Sequence, residues 1–454
     1  MGSNTQENGA KGGDAPGNIK RNNILYFLSC PIRIAKIVRV TSVDYAQGVV
    51  RGYSSGKPVK PAAKGYWQLV AEGEPFRLLF PLGAVIGIIG VMMWPLYVWN
   101  VTSGYPGVPH ARIMIEGFLG CFVTGFLGTA LPRLLGVPKV SIFETIGCGG
   151  ALACTVWLQY SGRSMWGDLV FFCTMFALVL LLGARTLFRK DSPPPAFVLV
   201  AMGLLSALTG SFGLALVQAT PGLMPSWLMP FGKLLLNQGF ILLPVMGIGA
   251  FLLPRFFGLP NRQSFPESLT LPPGWKPRAA FAGACGMAVV ASFGIEVAGL
   301  PRWGNALRAG ALLLYFFREV PVHQAGFGGG SLALGLRVAL VAIPLGYILL
   351  AVMPGRTLTF LHVVFITGFS LLTFTVATRV VLGHSGQSEK FRASLWPVLV
   401  LCVLISLAMF TRVTADWFPK LQMSHYAYAA LIWISGVLIW GVRILPGVAK
   451  ADQG

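Results

Sequence analysis

Charge is scarce in this sequence. Only 11% of its 454 residues are Asp, Glu, Lys or Arg, and the acids are scarcer than the bases, 15 against 35. With 55% apolar residues and a mean hydropathy of +0.69, the chain is more apolar than a soluble domain of this length can hide in one core. Histidine numbers only five, and the seven cysteines (Cys30, Cys121, Cys148, Cys154, Cys173, Cys285 and Cys402) are scattered without a CxxC pair. Neither an iron–sulfur cluster nor a structural zinc site has support, and the cysteines read as small packing residues. The first 22 residues lack the apolar core of a cleaved signal peptide. Nor is any basic stretch interleaved with aromatics, so the net charge of +20 does not point to nucleic acid.

Long apolar runs are what the sequence has in abundance. Windows of about 20 residues, enough to cross about 30 Å of hydrocarbon as a helix, mark about twelve spans. They lie near 77–101, 113–134, 141–161, 165–188, 195–219, 230–256, 278–299, 303–318, 331–354, 357–383, 392–411 and 421–446. The fold class is therefore an all-α polytopic integral membrane protein whose medium is the lipid bilayer. With the amino terminus cytoplasmic, most Lys and Arg fall on the inner side, and only Arg112, Arg163, Arg302, Arg356, Arg412 and Lys420 fall outside. That bias predicts that both termini are cytoplasmic.

Three parts follow: a cytoplasmic tail over 1–75, a twelve-helix transmembrane domain over 76–448, and a short cytoplasmic tail over 449–454. Within the first, ILYFLSCPIRIAKIVRV (24–40) mixes apolar residues with Arg33, Lys36 and Arg39. It reads as an interfacial helix on anionic lipid or as a basic segment that docks a membrane or cytoplasmic protein partner. The stretch from there to Glu74 is spotted with Gly, Pro and Lys and reads as an extended linker.

An internal repeat is visible. GFLGTALPRLLGVP ends the second span and GIGAFLLPRFFGLP the sixth, sharing LPRxxGxP, with arginines 255 − 133 = 122 residues apart. Arg379 closes the tenth span 379 − 255 = 124 residues later. Spans two, six and ten thus read as equivalents in three groups of four helices. In the second span Gly117, Cys121, Gly125 and Thr129 form a stripe without bulk, suited to close helix packing and, secondarily, to a flat cofactor.

Depth sorts the histidines. His110, His362 and His425 belong to the outer side, and His323 and His384 to the inner. A continuous helix from His362 to His384 rises about 33 Å, so the two cannot share one metal or haem. They do share a face with Thr373, which makes a polar track through an apolar span. His110 and His362, at similar depth on two helices, are a candidate axial pair for haem iron. Met114 and Met353 are nearby soft donors for copper.

PFRLLFPLG (75–83), PHARIMIEGFLGCFVTGFLGTALPRLLG (109–136) and LHVVFITGFSLLTFTVATRVVLGHSG (361–386) together resemble the NnrS family. These are bacterial twelve-helix membrane proteins linked to nitric oxide and nitrosative stress and described as binding haem and copper. In the last block His362, Thr367, Gly368, Thr378, Arg379, Leu382, Gly383, His384 and Gly386 fall in register with the family's LHALTxGAMGxMTLAVMTRxxLGHTG. The resemblance implies a b-type haem, with copper as a further metal, an inner-membrane location, and a role in nitric oxide tolerance or associated electron transfer. It implies His110 and His362 as metal ligands, with Arg112, Glu116, Arg379 and His384 beside them as cofactor-binding positions. The chain also departs from the family pattern WHAHEM: Arg112 stands at the second His, Ile113 at the Glu, and Glu116 offers a carboxylate one turn on. GAFLLP (249–254) lacks the Arg of a GGRxxP element, and Arg337 stands where a ninth-span His is expected. The chain is thus a divergent member.

Haem–copper oxidase catalytic subunits offer a topological analogy, twelve spans in three groups of four with haem histidines in spans two and ten. Their copper needs histidines in spans six and seven, and residues 230–299 contain none, which disfavours oxygen reduction. Two other function classes compete: a proton or small-solute transporter using the His362–Thr373–His384 track, and a cofactor-free scaffold subunit of a membrane complex.

Overall fold

The structure, a computed structural model, describes residues 64–452 other than 267 and 327. The segment 24–40 lies outside the described residues. Every regular element within them is helical. In chain order the long helices are α1 (Phe76–Val98), α2 (Gly107–Leu135), α3 (Ile142–Tyr160), α4 (Ser164–Thr186), α5 (Phe197–Ala219) and α6 (Leu228–Phe256). They continue with α7 (Trp275–Val297), α8 (Pro301–Glu319), α9 (Gly330–Val352), α10 (Pro354–His384), α11 (Trp396–Trp417) and α12 (Pro419–Ala449). All but α8 are long and apolar enough to cross a membrane, eleven by length and composition. α8 falls short because Arg302, Arg308, Arg318 and Glu319 interrupt it, yet it packs between α7 and α9 as its counterparts do. The chain is a polytopic helical membrane protein.

The expected three groups of four are present. In each group the first helix packs on the second and touches the third, and the third packs on the fourth. The fourth then packs on the first helix of the next group, and α12 against α1 closes the set. Where α2, α6 and α10 face one another lies an apolar cavity of about 90 Å³, lined among others by Phe122, Phe126, Ile241, Ile248, Leu372 and Thr373.

Each second helix contains a π-helical segment: Ile113–Leu119, Leu235–Gly239 and Val363–Ser370. The first two begin 235 − 113 = 122 residues apart, the spacing of Arg133 and Arg255. A π segment widens the helix by about one residue per turn and occurs frequently at functional sites.

The stripe on α2 serves helix packing. A Cβ at Gly117 would stand 2.5 Å from Val156 and 2.7 Å from Ile86, and one at Gly125 3.1 Å from Leu79. α1 therefore lies directly on this face, and Cys121 is fully buried there. The LPRxxGxP glycines end their helices in the left-handed region, Gly136 at φ 61° and Gly258 at φ 68°. α10 instead runs on to His384 and turns at Gly386, φ 69°.

The extended linker expected up to Glu74 is helical over Tyr66–Ala71. Its Leu69 and Val70 bury 1% and 0% exposed, and Glu74 is drawn into an ionic cluster, so this part of the chain packs on the bundle.

Candidate functional site

His110 sits in the first turns of α2, and its Nδ1 lies 2.9 Å from the carbonyl oxygen of Gly90 on α1. Gly90 leaves room for this approach, since a Cβ there would meet Ile113 at 2.8 Å. His362 stands on α10 immediately before the π segment, and its Nδ1 meets the carbonyl of Leu358 one turn earlier. A carbonyl oxygen only accepts, so Nδ1 carries the proton in both rings. In the neutral ring Nε2 then holds the lone pair, and neither Nε2 has a hydrogen-bond partner among the described residues. This is how metal-ligating histidines are oriented by a backbone carbonyl behind them. His362 is within electrostatic reach of His110, Arg412 and Asp416.

A polar rim joins the two rings. The Trp94 ring stands edge-on to both His110, at 6.0 Å, and Tyr426, at 5.0 Å. Arg412 lies over the Tyr426 ring at 3.8 Å and pairs with Asp416 at 3.4 Å. Asp416 also accepts from Tyr426 at 2.8 Å, Gln422 at 2.9 Å and Thr359 at 2.5 Å. Thr359 is three residues from His362, so this carboxylate fixes the turn that presents the imidazole. Sequence reading missed Asp416 and Tyr426, although Arg412 and Asp416 at i and i+4 near a span end were the available signal.

Arg112 and Glu116 belong to a neighbouring cluster inside the first group of helices. Arg112 Nε lies 3.0 Å from Asp168 and 3.8 Å from Glu116. Gln159 donates to Glu116 at 2.9 Å and to Asp168 at 3.0 Å, and Gln218 donates to Asp168 at 2.9 Å. The Arg112 guanidinium is thus tied to a carboxylate from α4. Asp168, Gln159 and Gln218 were also missed, each being a lone polar residue in an apolar helix, which is itself the signal.

Arg379 and His384 lie at the opposite end of α10, and the structure does not bring them to His110 and His362. Arg379 is sandwiched between Phe256 at 4.3 Å and Phe391 at 4.2 Å. His384 Nδ1 lies 3.0 Å from Glu74, and its Nε2 lies 3.2 Å from Arg133. A guanidinium only donates, so Nε2 accepts and Nδ1–H donates to Glu74. Arg77, 2% exposed, donates to Glu74 at 2.6 Å, to the carbonyl of His384 at 3.2 Å and to that of Lys450 at 2.9 Å. All three sequence blocks meet here, in a structural knot. Burial raises the carboxyl of Glu74, and the hydrogen bond from His384 together with the Arg77 charge more than reverses this, to about 2. Thr373, between the two histidines, lines the central apolar cavity. Arg337 donates to the loop carbonyls of Gly328 and Gly326, an anchor that needs no cofactor.

The helix groups share one position. Glu116, Gln238 and His362 each stand seventeen residues before the arginine of their repeat, as 133 − 116, 255 − 238 and 379 − 362 show. Glu116 and Gln238 meet polar partners from the later helices of their groups, Gln159 and Arg308, whereas His362 bonds only to its own helix. Gln238 accepts from Arg308 at 2.8 Å, and Arg308 is held by Glu296 at 2.7 Å and Ser292 at 3.0 Å between the Phe293 and Tyr347 rings.

The protein-family model described as NnrS protein matches residues 72–451. No curated protein matches the chain.

Proposed function

Because this chain belongs to the NnrS family, we propose that its outer-side histidine pair holds a b-type haem and that it works in nitric oxide tolerance or an associated electron transfer. The observation that supports this most is the pair itself: two imidazoles with Nδ1 committed to a backbone carbonyl and Nε2 open, within electrostatic reach of each other. The donor set fits the group, since neutral imidazole is a good ligand for haem iron. A haem held there by His110 and His362 would supply a one-electron couple and iron able to bind nitric oxide.

The chain's own residues do the rest. The Gly90 and Leu358 carbonyls fix the tautomer and aim of the rings. Arg412 and Arg356, the latter donating to the Asp416 carbonyl at 2.8 Å, supply positive charge at the rim for the carboxylates of a haem. Copper is the second metal this donor set accepts, with Met114 Sδ placed against Gly90 beside His110. We place the chain in the bacterial inner membrane with both termini cytoplasmic, on the distribution of its Lys and Arg.

The physiological role is tested by growth of cells lacking the chain during exposure to a nitric oxide donor. The reading predicts a longer lag, restored by the wild-type chain and not by His110→Ala or His362→Ala. Full restoration by both variants contradicts it.

A further inference from the structure

We infer that the seam between the first and second helix groups binds one anionic phospholipid, with an acyl chain in an apolar groove between α2, α4 and α5 and the phosphate on Arg189 and Lys190. The groove has a volume of about 370 Å³ and is walled by Leu131 and Leu135 from α2, Val179 and Leu182 from α4, and Val200 and Leu204 from α5. Its polar side chains, Thr186 and Arg189, both stand at one end, where α2 and α4 finish. On α5 the lining runs from Phe197 to Leu208, 208 − 197 = 11 residues, or roughly 16 Å at 1.5 Å per residue. That is half of the roughly 30 Å hydrocarbon core, the depth of one leaflet.

Charge complementarity identifies the headgroup. Arg189 and Lys190 are exposed at the polar end of the groove, and neither side-chain cation has a partner among the described residues. Lys190 is fixed there, because its N–H donates to the Leu135 carbonyl at 2.9 Å and a Cβ at Gly136 would meet its side chain at 3.3 Å. The neighbouring acids are held elsewhere: Glu144 pairs with Arg185 at 2.6 Å, and Asp191 accepts from the N–H groups of Ser192 at 2.7 Å and Ser268 at 3.0 Å. Two free cations remain for a phosphate, which a zwitterionic lipid brings with its own cation and an anionic lipid brings without one.

The residues just before these cations point to the same partner. Leu187 and Phe188 are 82% and 69% exposed, so LFRK (187–190) presents two apolar and two cationic side chains in succession where α4 ends. That pattern suits the boundary between acyl chains and headgroups, where the apolar pair enters the lipid and the cations meet phosphate. α4 packs on both α2 and α5, yet the groove stays open, because a Cβ at Gly183 would meet nothing within 4 Å. The site lies at the opposite end of α2 from His110 and does not depend on haem.

Native mass spectrometry tests it on the purified full-length protein, delipidated in detergent and titrated with dioleoyl phosphatidylglycerol or dioleoyl phosphatidylcholine. The inference predicts a first phosphatidylglycerol bound about tenfold more tightly than phosphatidylcholine. With Arg189→Gln and Lys190→Gln together the preference falls to about unity, whereas Arg443→Gln, which removes an exposed cation stacked on Trp396 at the same end of the bundle, retains it. Gly183→Phe, which fills the groove, weakens both lipids by about tenfold. Equal affinity of the wild type for the two lipids, a preference unchanged by the double substitution or lost in Arg443→Gln, or unchanged affinities in Gly183→Phe each overturn it. Complete displacement of phosphatidylglycerol by inorganic phosphate assigns a free-anion site and also overturns it.

Discussion

His384 donates its Nδ1 proton to Glu74 at 3.0 Å across 310 residues of chain. The extra turn of α10 past the repeat pattern makes this contact, and the same carboxylate binds Arg77 and Arg133. Glu74→Gln therefore leaves the buried Arg77 guanidinium without its counter-charge. We expect a loss of about 3 kcal/mol, as for other broken buried pairs, measured as a lowered denaturation midpoint in detergent. An unchanged midpoint would show that the carbonyls of Lys450 and His384 hold Arg77 unaided.

The same carboxyl sets an acid response. Its titration near 2 lies below its ordinary value of 4.5, so the ionised form is favoured by folding. Its contribution is complete above the ordinary value and is lost as pH falls from about 4.5 toward 2. The thermal midpoint of the wild type should fall over that window more steeply than that of Glu74→Gln. Parallel pH profiles would contradict the assignment.

In the second helix group the buried Arg308 is paired with Glu296 and Gln238. Arg308→Met alone should destabilise by about 3 kcal/mol, because the partly buried Glu296 is left unpaired. Adding Glu296→Gln should return most of the loss, the coupling expected of contacting residues. Additive effects in the double variant would mean the pair is energetically independent.

Close packing of α2 on α1 and α3 predicts a small-residue requirement. Gly117→Ala places a methyl 2.5 Å from Val156 and 2.7 Å from Ile86. A cost of about 1–3 kcal/mol is expected for such overpacking, with partial recovery in Val156→Ala. The denaturation midpoint of the two variants checks both steps.

Much of this was legible in the sequence. LPRxxGxP and the spacing of Arg133, Arg255 and Arg379 foretold three groups of four helices. What escaped notice has a physical reason. Glu116, Gln238 and His362 are a carboxyl, an amide and an imidazole, so their shared position leaves no trace as residue identity. The π segments that hold Glu116 and Gln238, and that begin just after His362, are a backbone property without a composition signal. Asp168, Gln159 and Gln218 come from three separate helices, and only tertiary packing shows that they meet. Glu74 was hidden because a Gly- and Pro-spotted approach reads as a linker until its partners, Arg133 and His384, are in place.

The most direct test of the histidine pair is the reduced-minus-oxidised absorption difference of the protein purified from haem-replete cells. The account predicts Soret and α bands of a low-spin b-type haem that disappear in His110→Ala and in His362→Ala while Arg379→Gln retains them. A preparation without these bands, or bands that persist in both histidine variants, would contradict it.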